Sequence, residues 1–160
     1  MLFRHRAIIM GNKDVICMKI STKGRYALEA ITYMGSLPPG QPLNIKALAE
    51  KTCIPQRYLE QIFFTLRKAA ILETRRGPTG GYLLAVDRHV LTAGDVVRAA
   101  EGELLPVACL AQEGVCGNRR YDSCATRPLW QQMSDAVDRV LDRVTVAQLA
   151  DCYRATGVEP

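Results

Sequence analysis

The chain has 160 residues, of which 48% are hydrophobic and 23% are charged. This length and balance fit one ordinary globular core and exclude an intrinsically disordered chain. No apolar run approaches the roughly 20 residues of a membrane-spanning helix, and Ala7–Met10 is too short for the core of a signal peptide. We therefore expect no membrane association and a cytoplasmic location, where cysteines serve as buried thiols, metal ligands or redox groups more often than as disulfides.

The net charge of +5 is unevenly distributed along the chain. Residues 1–90 carry 14 Lys/Arg against 6 Asp/Glu, whereas residues 91–160 carry 7 against 10. A basic half of +8 is suited to a polyanion such as duplex DNA. An incidentally basic surface is the alternative interpretation of the same numbers.

The chain begins without clear periodicity. Residues 1–17 precede Met18, which itself resembles a start, so we interpret them as an N-terminal extension: a disordered arm or an upstream-start artefact. A helix is predicted from Thr22 to about Leu37, and the Pro38-Pro39-Gly40 sequence ends it. One face of this helix carries Ala27, Ile31 and Met34.

A helix–turn–helix is predicted next. Asn44 is a candidate N-cap for a short helix that directs Ile45, Leu48 and Ala49 inward, and Pro55 opens the following helix. Cys53, in the turn, is expected to be a small buried hydrophobe. The second helix has an apolar stripe at helical spacing: Leu59, Ile62, Phe63, Leu66 and Ala70. Its opposite face is mainly polar: Arg57, Glu60, Gln61, Phe64 and Lys68.

The sequence RRGPTGGYLL at 75–84 predicts a tight β-hairpin between strands 72–76 and 82–86. Gly77, Gly80 and Gly81 allow positive φ or close approach, and Pro78 fixes one turn dihedral. A positively charged hairpin after a helix–turn–helix is typical of winged-helix DNA-binding proteins. A surface hairpin with incidental arginines is the alternative.

The second half contains a short helix, a loop and a long helix. Thr92 and Asp95 form a capping-box pattern for a helix ending near Glu101, and 102–125 reads as loop. A long helix is predicted from Arg127 or Pro128 to Val144, and Thr145 with Gln148 caps a short last helix. Five apolar residues of the long helix recur at spacings of three and four: Trp130, Met133, Val137, Val140 and Val144. They suit packing on the same domain or, equally, a dimer interface.

Three cysteines lie in the loop, at Cys109, Cys116 and Cys124. Six and seven residues separate them, and a loop backbone lets three sulfurs converge. Thiolates select iron–sulfur clusters, zinc or copper(I), and the wide spacing disfavours a structural zinc site. An iron–sulfur cluster is the favoured interpretation, while zinc, a thiol redox switch and inert cysteines stay open. Four ligands are expected and three are evident.

Four segments together resemble a known family: MKISTKGRYAL at 18–28, YLEQIFFTLRKA at 58–69, RRGPTGGYLL at 75–84 and PLWQQMSDAVDRVL at 128–141. The chain is similar over most of its length to the Rrf-two family of winged-helix regulators, typified by IscR, NsrR, RirA and CymR. The resemblance implies a homodimeric bacterial transcription factor. It also implies a recognition helix in the major groove, a wing near the minor groove, a dimer built by the long helix and a cysteine-bound iron–sulfur cluster.

The resemblance, together with hydrogen-bonding chemistry, assigns roles at the DNA. Glu60 can accept a hydrogen bond from cytosine N4, and Arg57 and Gln61 can reach neighbouring base edges. Arg76 and Pro78 match wing residues. Phosphate contacts position the protein without specifying sequence and are assigned to Lys23, Arg25, Lys68 and Arg75. The full expected DNA-binding set is Lys23, Arg25, Arg57, Tyr58, Glu60, Gln61, Lys68, Arg75, Arg76 and Pro78. Phe64 is unusual on this face and is expected to pack under Tyr58 or meet a thymine methyl group.

The fourth cluster ligand departs from the family patterns. IscR-like members use a His three residues after the third cysteine, where this chain has Arg127. NsrR-like members use an acidic residue of the partner's first helix, where this chain has Arg25. Four candidates stay open: Glu113, Asp122, Glu29 of the partner subunit or an exogenous ligand. We favour a 2Fe-2S cluster and leave 4Fe-4S open. Three other cysteines are expected to be bystanders: Cys17, Cys53 and Cys152.

These observations predict a mainly α fold with a small β-hairpin wing: a winged helix–turn–helix plus a long dimerisation helix. The expected divisions are an extension at 1–17, a DNA-binding domain at 18–101, a cluster loop at 102–126, the dimerisation and last helices at 127–153, and a tail at 154–160. The predicted function is a homodimeric regulator of double-stranded DNA, most simply a repressor, switched by the cluster. A zinc-bound or thiol-switched regulator is the alternative. No nucleotide-binding loop, Ser/His/Asp arrangement or carboxylate pair indicates an enzyme, and no small-molecule substrate is expected.

Overall fold

The structure is a computed structural model that describes residues 20–77, 80–111 and 124–157. Pro78, Cys116, Glu113, Asp122 and the predicted extension lie outside these ranges. The described elements are α1 (Thr22–Ser36), α2 (Ile45–Thr52), α3 (Gln56–Lys68), β1 (Leu72–Arg75), β2 (Gly81–Leu84), α4 (Ala93–Glu101), a 3-10 turn (Ala108–Leu110), α5 (Arg127–Arg143) and α6 (Val146–Ala155). The predicted fold class, mainly α with a hairpin wing, is confirmed.

The helices begin where side chains can satisfy their first backbone N–H groups. Asn44 Oδ1 accepts a hydrogen bond from the Ala47 N–H at 2.7 Å, as its predicted N-cap role requires. Both predicted capping boxes are also formed, by Thr92 with Asp95 and by Thr145 with Gln148. Local sequence therefore sets the starts of α2, α4 and α6.

The core surrounds α1, against which α3, α4 and α6 pack. The ring of Phe63, on α3, meets the ring of Tyr82 edge-on with centroids 4.9 Å apart. Residues of every predicted inward face are buried here: Ala27, Ile31, Met34, Leu48, Leu59, Ile62, Phe63 and Leu66. Ala70 was wrongly predicted as part of the α3 stripe. It is exposed and has a φ of 56°, because α3 ends at Lys68 and the chain turns towards the wing.

The wing is an antiparallel hairpin in which Leu72 lies opposite Leu84 and Arg75 opposite Gly81. Both strands are shorter than predicted. Leu43, before α2, forms an isolated antiparallel bridge with Tyr82 of β2 through backbone hydrogen bonds of 3.0 and 2.8 Å. A Cβ at Gly81 would lie 2.6 Å from the Leu43 carbonyl oxygen, so glycine lets the hairpin dock on the helix–turn–helix.

The last two helices are attached differently. In α6, Val146 and Ala150 are fully buried and Tyr153 packs edge-on against Tyr33 of α1. All of α5 is described, and Ser134 is its single buried residue. We refer to α1–α4, the hairpin and α6 as the body of the fold. Helix α6 therefore completes the core of the body, whereas α5 lies on its surface. In the described ranges, no helix is long and apolar enough to span a bilayer.

Candidate nucleic-acid interface and cysteine segment

The outer face of α3 is exposed to solvent. It is opposite the buried stripe of the same helix, which follows from the 3.6-residue period. The exposed residues include all five predicted for this face: Arg57, Glu60, Gln61, Phe64 and Lys68. The side of α3 that carries Glu60 thus faces solvent and is free of the monomer core.

One residue of this face was missed by the sequence analysis. Gln56, the first residue of α3, donates a hydrogen bond from Nε2 to Glu60 Oε1 at 2.9 Å. The i,i+4 spacing that brings two helical side chains together was visible in the sequence. The carboxylate that was expected to read a base is therefore held at one of its two oxygens.

Aromatic contacts join α3 to the start of α1. The rings of Tyr58 and Tyr26 meet edge-on with centroids 5.9 Å apart, and the Arg25 guanidinium carbon lies 5.2 Å from the Tyr26 centroid. Among the described residues, the ring of Tyr58 pairs with Tyr26 and not with Phe64, so the first of the two predicted roles of Phe64 is not seen. The Lys68 ammonium instead lies 4.4 Å from the Phe64 ring centroid, because i and i+4 side chains share a helix face.

The remaining predicted DNA contacts lie beside this face or on the wing. Arg75 and Arg76 are exposed at the end of β1, and Arg75 Nη1 is 3.5 Å from the Gly40 carbonyl oxygen. Lys23 is half-buried in the first turn of α1. The structure thus places solvent-accessible cations on α1, α3 and the wing, the three elements that the sequence analysis assigned to DNA.

Two of the three loop cysteines are described. Cys109 lies on the 3-10 turn, which packs against α5, and Cys124 lies just before α5; both are half-buried. A hydrogen bond with Thr126 Oγ1, at 3.3 Å, together with the backbone N–H groups of Thr126 and Arg127, lowers the pKa of the Cys124 thiol. These hydrogen bonds favour the thiolate of Cys124 over the thiol more than in a free cysteine, and the thiolate is the form that binds metals and attacks disulfides.

The other cysteines differ in their surroundings. Cys53 was wrongly predicted to be buried: it is exposed at the C-cap of α2 with a φ of 56°. The turn of the helix–turn–helix directs it outward, and Ile54 fills the core beside it. Cys152 is exposed on α6. Among the open fourth ligands, Glu29 is exposed on α1, while Arg127 is half-buried.

A charged contact joins α5 to the winged helix. Arg98 of α4 donates to Asp138 at 3.1 Å and contacts Asp142, both on α5. A Cβ at Gly94 would collide with the Asp142 carboxylate, so glycine makes room for this pair. One helical turn beyond Arg98, Glu101 accepts hydrogen bonds of 2.9 and 3.1 Å from the backbone N–H of Ser21, the N-cap of α1. Helix α4 thus bridges α5 and the start of α1.

The five apolar residues predicted on the long helix define the α5 seam: Trp130, Met133, Val137, Val140 and Val144. Val140 is 64% exposed and Met133 is 40% exposed, and the other three are half-buried. Of the residues that face the body, Ser134 and Asp138 follow the seam residues Met133 and Val137 by one position, which is about 100° around the helix. Asp142 lies two positions from both Val140 and Val144. The contacts with α4 therefore leave Met133 and Val140 of the seam exposed.

The chain resembles known proteins over most of its length. A family model described as "Rrf2: Iron-dependent Transcriptional regulator" matches residues 20–152. The HTH-type transcriptional regulator CymR of Bacillus subtilis (strain 168) is 38% identical over 133 residues, covering 83% of this chain and 90% of CymR. The HTH-type transcriptional regulator IscR of Yersinia enterocolitica is 33% identical over 134 residues, covering 84% of this chain and 80% of IscR.

Solved structures show the same likeness. The structure of Bacillus subtilis CymR, described as the global cysteine regulator of that organism, has a TM-score of 0.68 and 36% identity, and covers 83% of this chain and 96% of CymR. The structure of T. potens IscR has a TM-score of 0.70 and 28% identity, and covers 89% of this chain and 93% of IscR. These relatives are named as regulators and not as enzymes.

Proposed function

Because the chain belongs to the Rrf2 family of transcriptional regulators, we propose that it acts as a cytoplasmic homodimeric repressor that reads duplex DNA with α3 and the wing. The observation that carries this proposal is the exposed outer face of α3, whose Arg57, Glu60 and Gln61 project away from the core. The major groove of B-DNA accommodates a helix. In this proposal Lys23, Arg25, Lys68 and Arg75 would contact phosphates, and Arg76 and Pro78 would contact the minor groove.

The dimer would form through the α5 seam. Exposed apolar side chains scattered singly are ordinary, but a contiguous row along one helix indicates an interaction surface. Leu129, 53% exposed, extends the row formed by Met133 and Val140. In a twofold symmetric dimer this surface would meet its own copy, and two recognition helices would then contact successive turns of the same face of DNA.

The cysteine segment would hold the sensing group. We assign Cys109, Cys116 and Cys124 as ligands of an iron–sulfur cluster, with 2Fe-2S favoured. The hydrogen bonds that lower the pKa of Cys124 suit a thiolate ligand, and the turn that carries Cys109 packs against α5, the helix that follows Cys124. When bound, such a cluster supplies a centre that responds to iron, nitric oxide or redox state. The fourth ligand stays among Glu113, Asp122, Glu29 of the partner subunit and an exogenous group.

A second candidate is a regulator switched by its thiols, with zinc or no metal in place of iron. The stabilised thiolate of Cys124 suits direct oxidation as well as metal binding. Similarity to CymR, which is described as a cysteine regulator, also favours this candidate.

Metal analysis separates the two candidates. The protein is purified without oxygen, its absorption spectrum is recorded, and iron, zinc and acid-labile sulfide are counted per subunit. We expect a coloured protein whose iron and sulfide are lost in Cys124→Ala and kept in Cys152→Ala, a matched control on α6. Zinc without sulfide would support the second candidate, and a colourless, metal-free protein would leave only the metal-free thiol switch.

DNA binding is tested by titrating duplex from upstream of its own gene at increasing salt. The affinity is expected to fall steeply, because each neutralised phosphate releases counterions. Lys68→Ala should reduce the slope of the logarithm of affinity against the logarithm of salt concentration by about one. Arg139→Ala, on α5, should leave that slope unchanged. An affinity that is insensitive to salt would contradict the proposed interface.

A further inference from the structure

The amide of Gln56 holds the carboxylate of Glu60 at the exposed start of α3. Nε2 donates to Oε1 at 2.9 Å, and in the described ranges Oε2 has no hydrogen-bond partner. We infer that Gln56 is a positioning residue that fixes Glu60 for base discrimination. This inference rests on the proposed function, since it concerns how α3 reads DNA.

The chemistry of the pair favours amino-bearing bases. Glu60 Oε2 and the Gln56 amide oxygen are both acceptors, and one of the two amide N–H groups of Gln56 is taken up by Glu60 Oε1. Discrimination therefore depends on the carboxylate, which is negatively charged and can only accept hydrogen bonds. In the major groove, cytosine offers the N4 donor and adenine the N6 donor, whereas guanine and thymine offer acceptors at O6 and O4. A carboxylate fixed in this place therefore accepts from cytosine or adenine and repels guanine or thymine.

The neutral amide of Gln56 holds Glu60 without neutralising it. A cationic partner would offset the negative charge of the Glu60 carboxylate, which is what discriminates between bases. Arg57 lies three residues before Glu60, within the i,i+3 reach of an ion pair, yet the structure pairs Glu60 with the amide of Gln56. An untethered Glu60 can swing towards Arg57 and so escape an acceptor base. Holding Glu60 in place chiefly weakens binding to DNA that presents guanine O6 or thymine O4 to it. Specificity is then gained by repulsion of the incorrect base.

The protein supplies a matched control for the helix-stabilising effect of such a pair. Gln131 of α5 donates from Nε2 to Asp135 Oδ1, also at 2.9 Å, also four residues apart and also exposed. Substitution of Gln131 removes the same type of contact from a helix that is not assigned to DNA.

The test selects bound duplexes from a pool with a randomised centre and then measures affinity for the selected site and its single-base variants. Glu60→Ala identifies the base pair that Glu60 reads, with a loss of preference of roughly tenfold. Gln56→Ala should lower the preference at that same pair by about twofold and leave other pairs unchanged. The control Gln131→Ala should leave every preference at its wild-type value.

Gln56→Lys distinguishes positioning from helix stabilisation. Lysine keeps a favourable i,i+4 contact with Glu60, so a purely structural role predicts wild-type discrimination. Our inference predicts that the preference falls, even as the added charge raises overall affinity. If Glu60→Ala relaxes the preference while both Gln56 variants keep it, the inference fails and the proposed function stands. If wild-type protein binds no duplex, both fail.

Discussion

The winged-helix body and helix α5 are held together by different interactions. In the body, α1, α3, α4 and α6 bury a continuous core in which Ile31, Phe63 and Val146 are fully enclosed. In α5, only Ser134 is buried, and the contact with α4 depends on Arg98 and its carboxylates. Apolar burial is not screened by salt and is costly to disrupt, whereas partly exposed ion pairs are weak and screened.

This difference suits the proposed regulator, in which the DNA-binding elements would be rigid and α5 would be able to change its orientation. The body keeps α3 and the wing in a fixed relation, as base reading requires. Helix α5 follows Cys124 and carries the seam along its side. We expect its orientation to depend on a few polar contacts and on the proposed partner subunit. A change at the cysteines can therefore shift α5 without unfolding the body.

The largest expected effect comes from breaking the core of the body. Phe63→Ala should lower the free energy of unfolding by about 3–5 kcal/mol, because it removes a buried aromatic side chain and leaves a cavity. The control is its neighbour Phe64→Ala, which is 51% exposed and should cost no more than about 1 kcal/mol. Denaturant unfolding monitored by circular dichroism measures both, and equal losses would contradict the comparison.

The next effect is on assembly. Val140→Asp places a charge in the α5 seam and should raise the dimer dissociation constant at least tenfold, roughly the effect of losing an interface hot spot. Gln132→Asp adds the same charge on the outer side of α5 and should leave assembly unchanged. Sedimentation equilibrium measures both. If Val140→Asp dimerises like the wild type, the seam is not the interface.

A smaller effect is expected at the α4–α5 contact. Arg98→Ala should cost about 1 kcal/mol, since the ion pairs are partly exposed. The loss should appear as faster hydrogen exchange in α5, with α1 and α3 unchanged. Arg139→Ala, also on the surface of α5, is the control. High salt should lower the hydrogen-exchange protection of α5 in the wild type towards the level of Arg98→Ala. If neither high salt nor Arg98→Ala changes this protection, polar contacts do not attach α5 to α4.

The smallest effect concerns the Cys124 thiol. Thr126→Ala removes the hydrogen bond that chiefly lowers the Cys124 pKa, without removing a helix cap, because the Thr126 side chain makes no cap hydrogen bond. The pKa should rise, so Cys124 should need a higher pH to react with iodoacetamide. Mass spectrometry follows alkylation of metal-free protein against pH. An unchanged midpoint would show that Thr126 does not stabilise the thiolate.

Much of the fold could be predicted because its signals are local. Asn44, Thr92 and Thr145 are caps that act within three residues, and the buried stripe of α3 follows from helical periodicity. Cys53 and Ala70 were mispredicted because both lie where a helix ends in a left-handed residue. Chain direction changes there, and periodicity no longer indicates which side faces the core.

Some features of the candidate site also have a local sequence signal, and others have none. Exposure of Arg57, Glu60 and Gln61 follows from the face opposite the α3 stripe, and their assignment to DNA follows from the family resemblance. The tether from Gln56 has a sequence signal, the i,i+4 spacing, but many such pairs never form contacts. The pairing of Arg98 with Asp138 and Asp142 has no local signal, since these residues are 40 and 44 positions apart.

The sequence by itself determined the helices, the hairpin, the basic half and the family, because caps, periodicity, composition and motifs are encoded within a few neighbouring residues. Only the tertiary structure decided that α6 packs on α1 and completes the core, that α4 bridges α5 and the start of α1, and that Met133 and Val140 of the α5 seam stay exposed. These outcomes depend on which surfaces meet across long separations, and the choice is made by the total burial and shape of the folded chain.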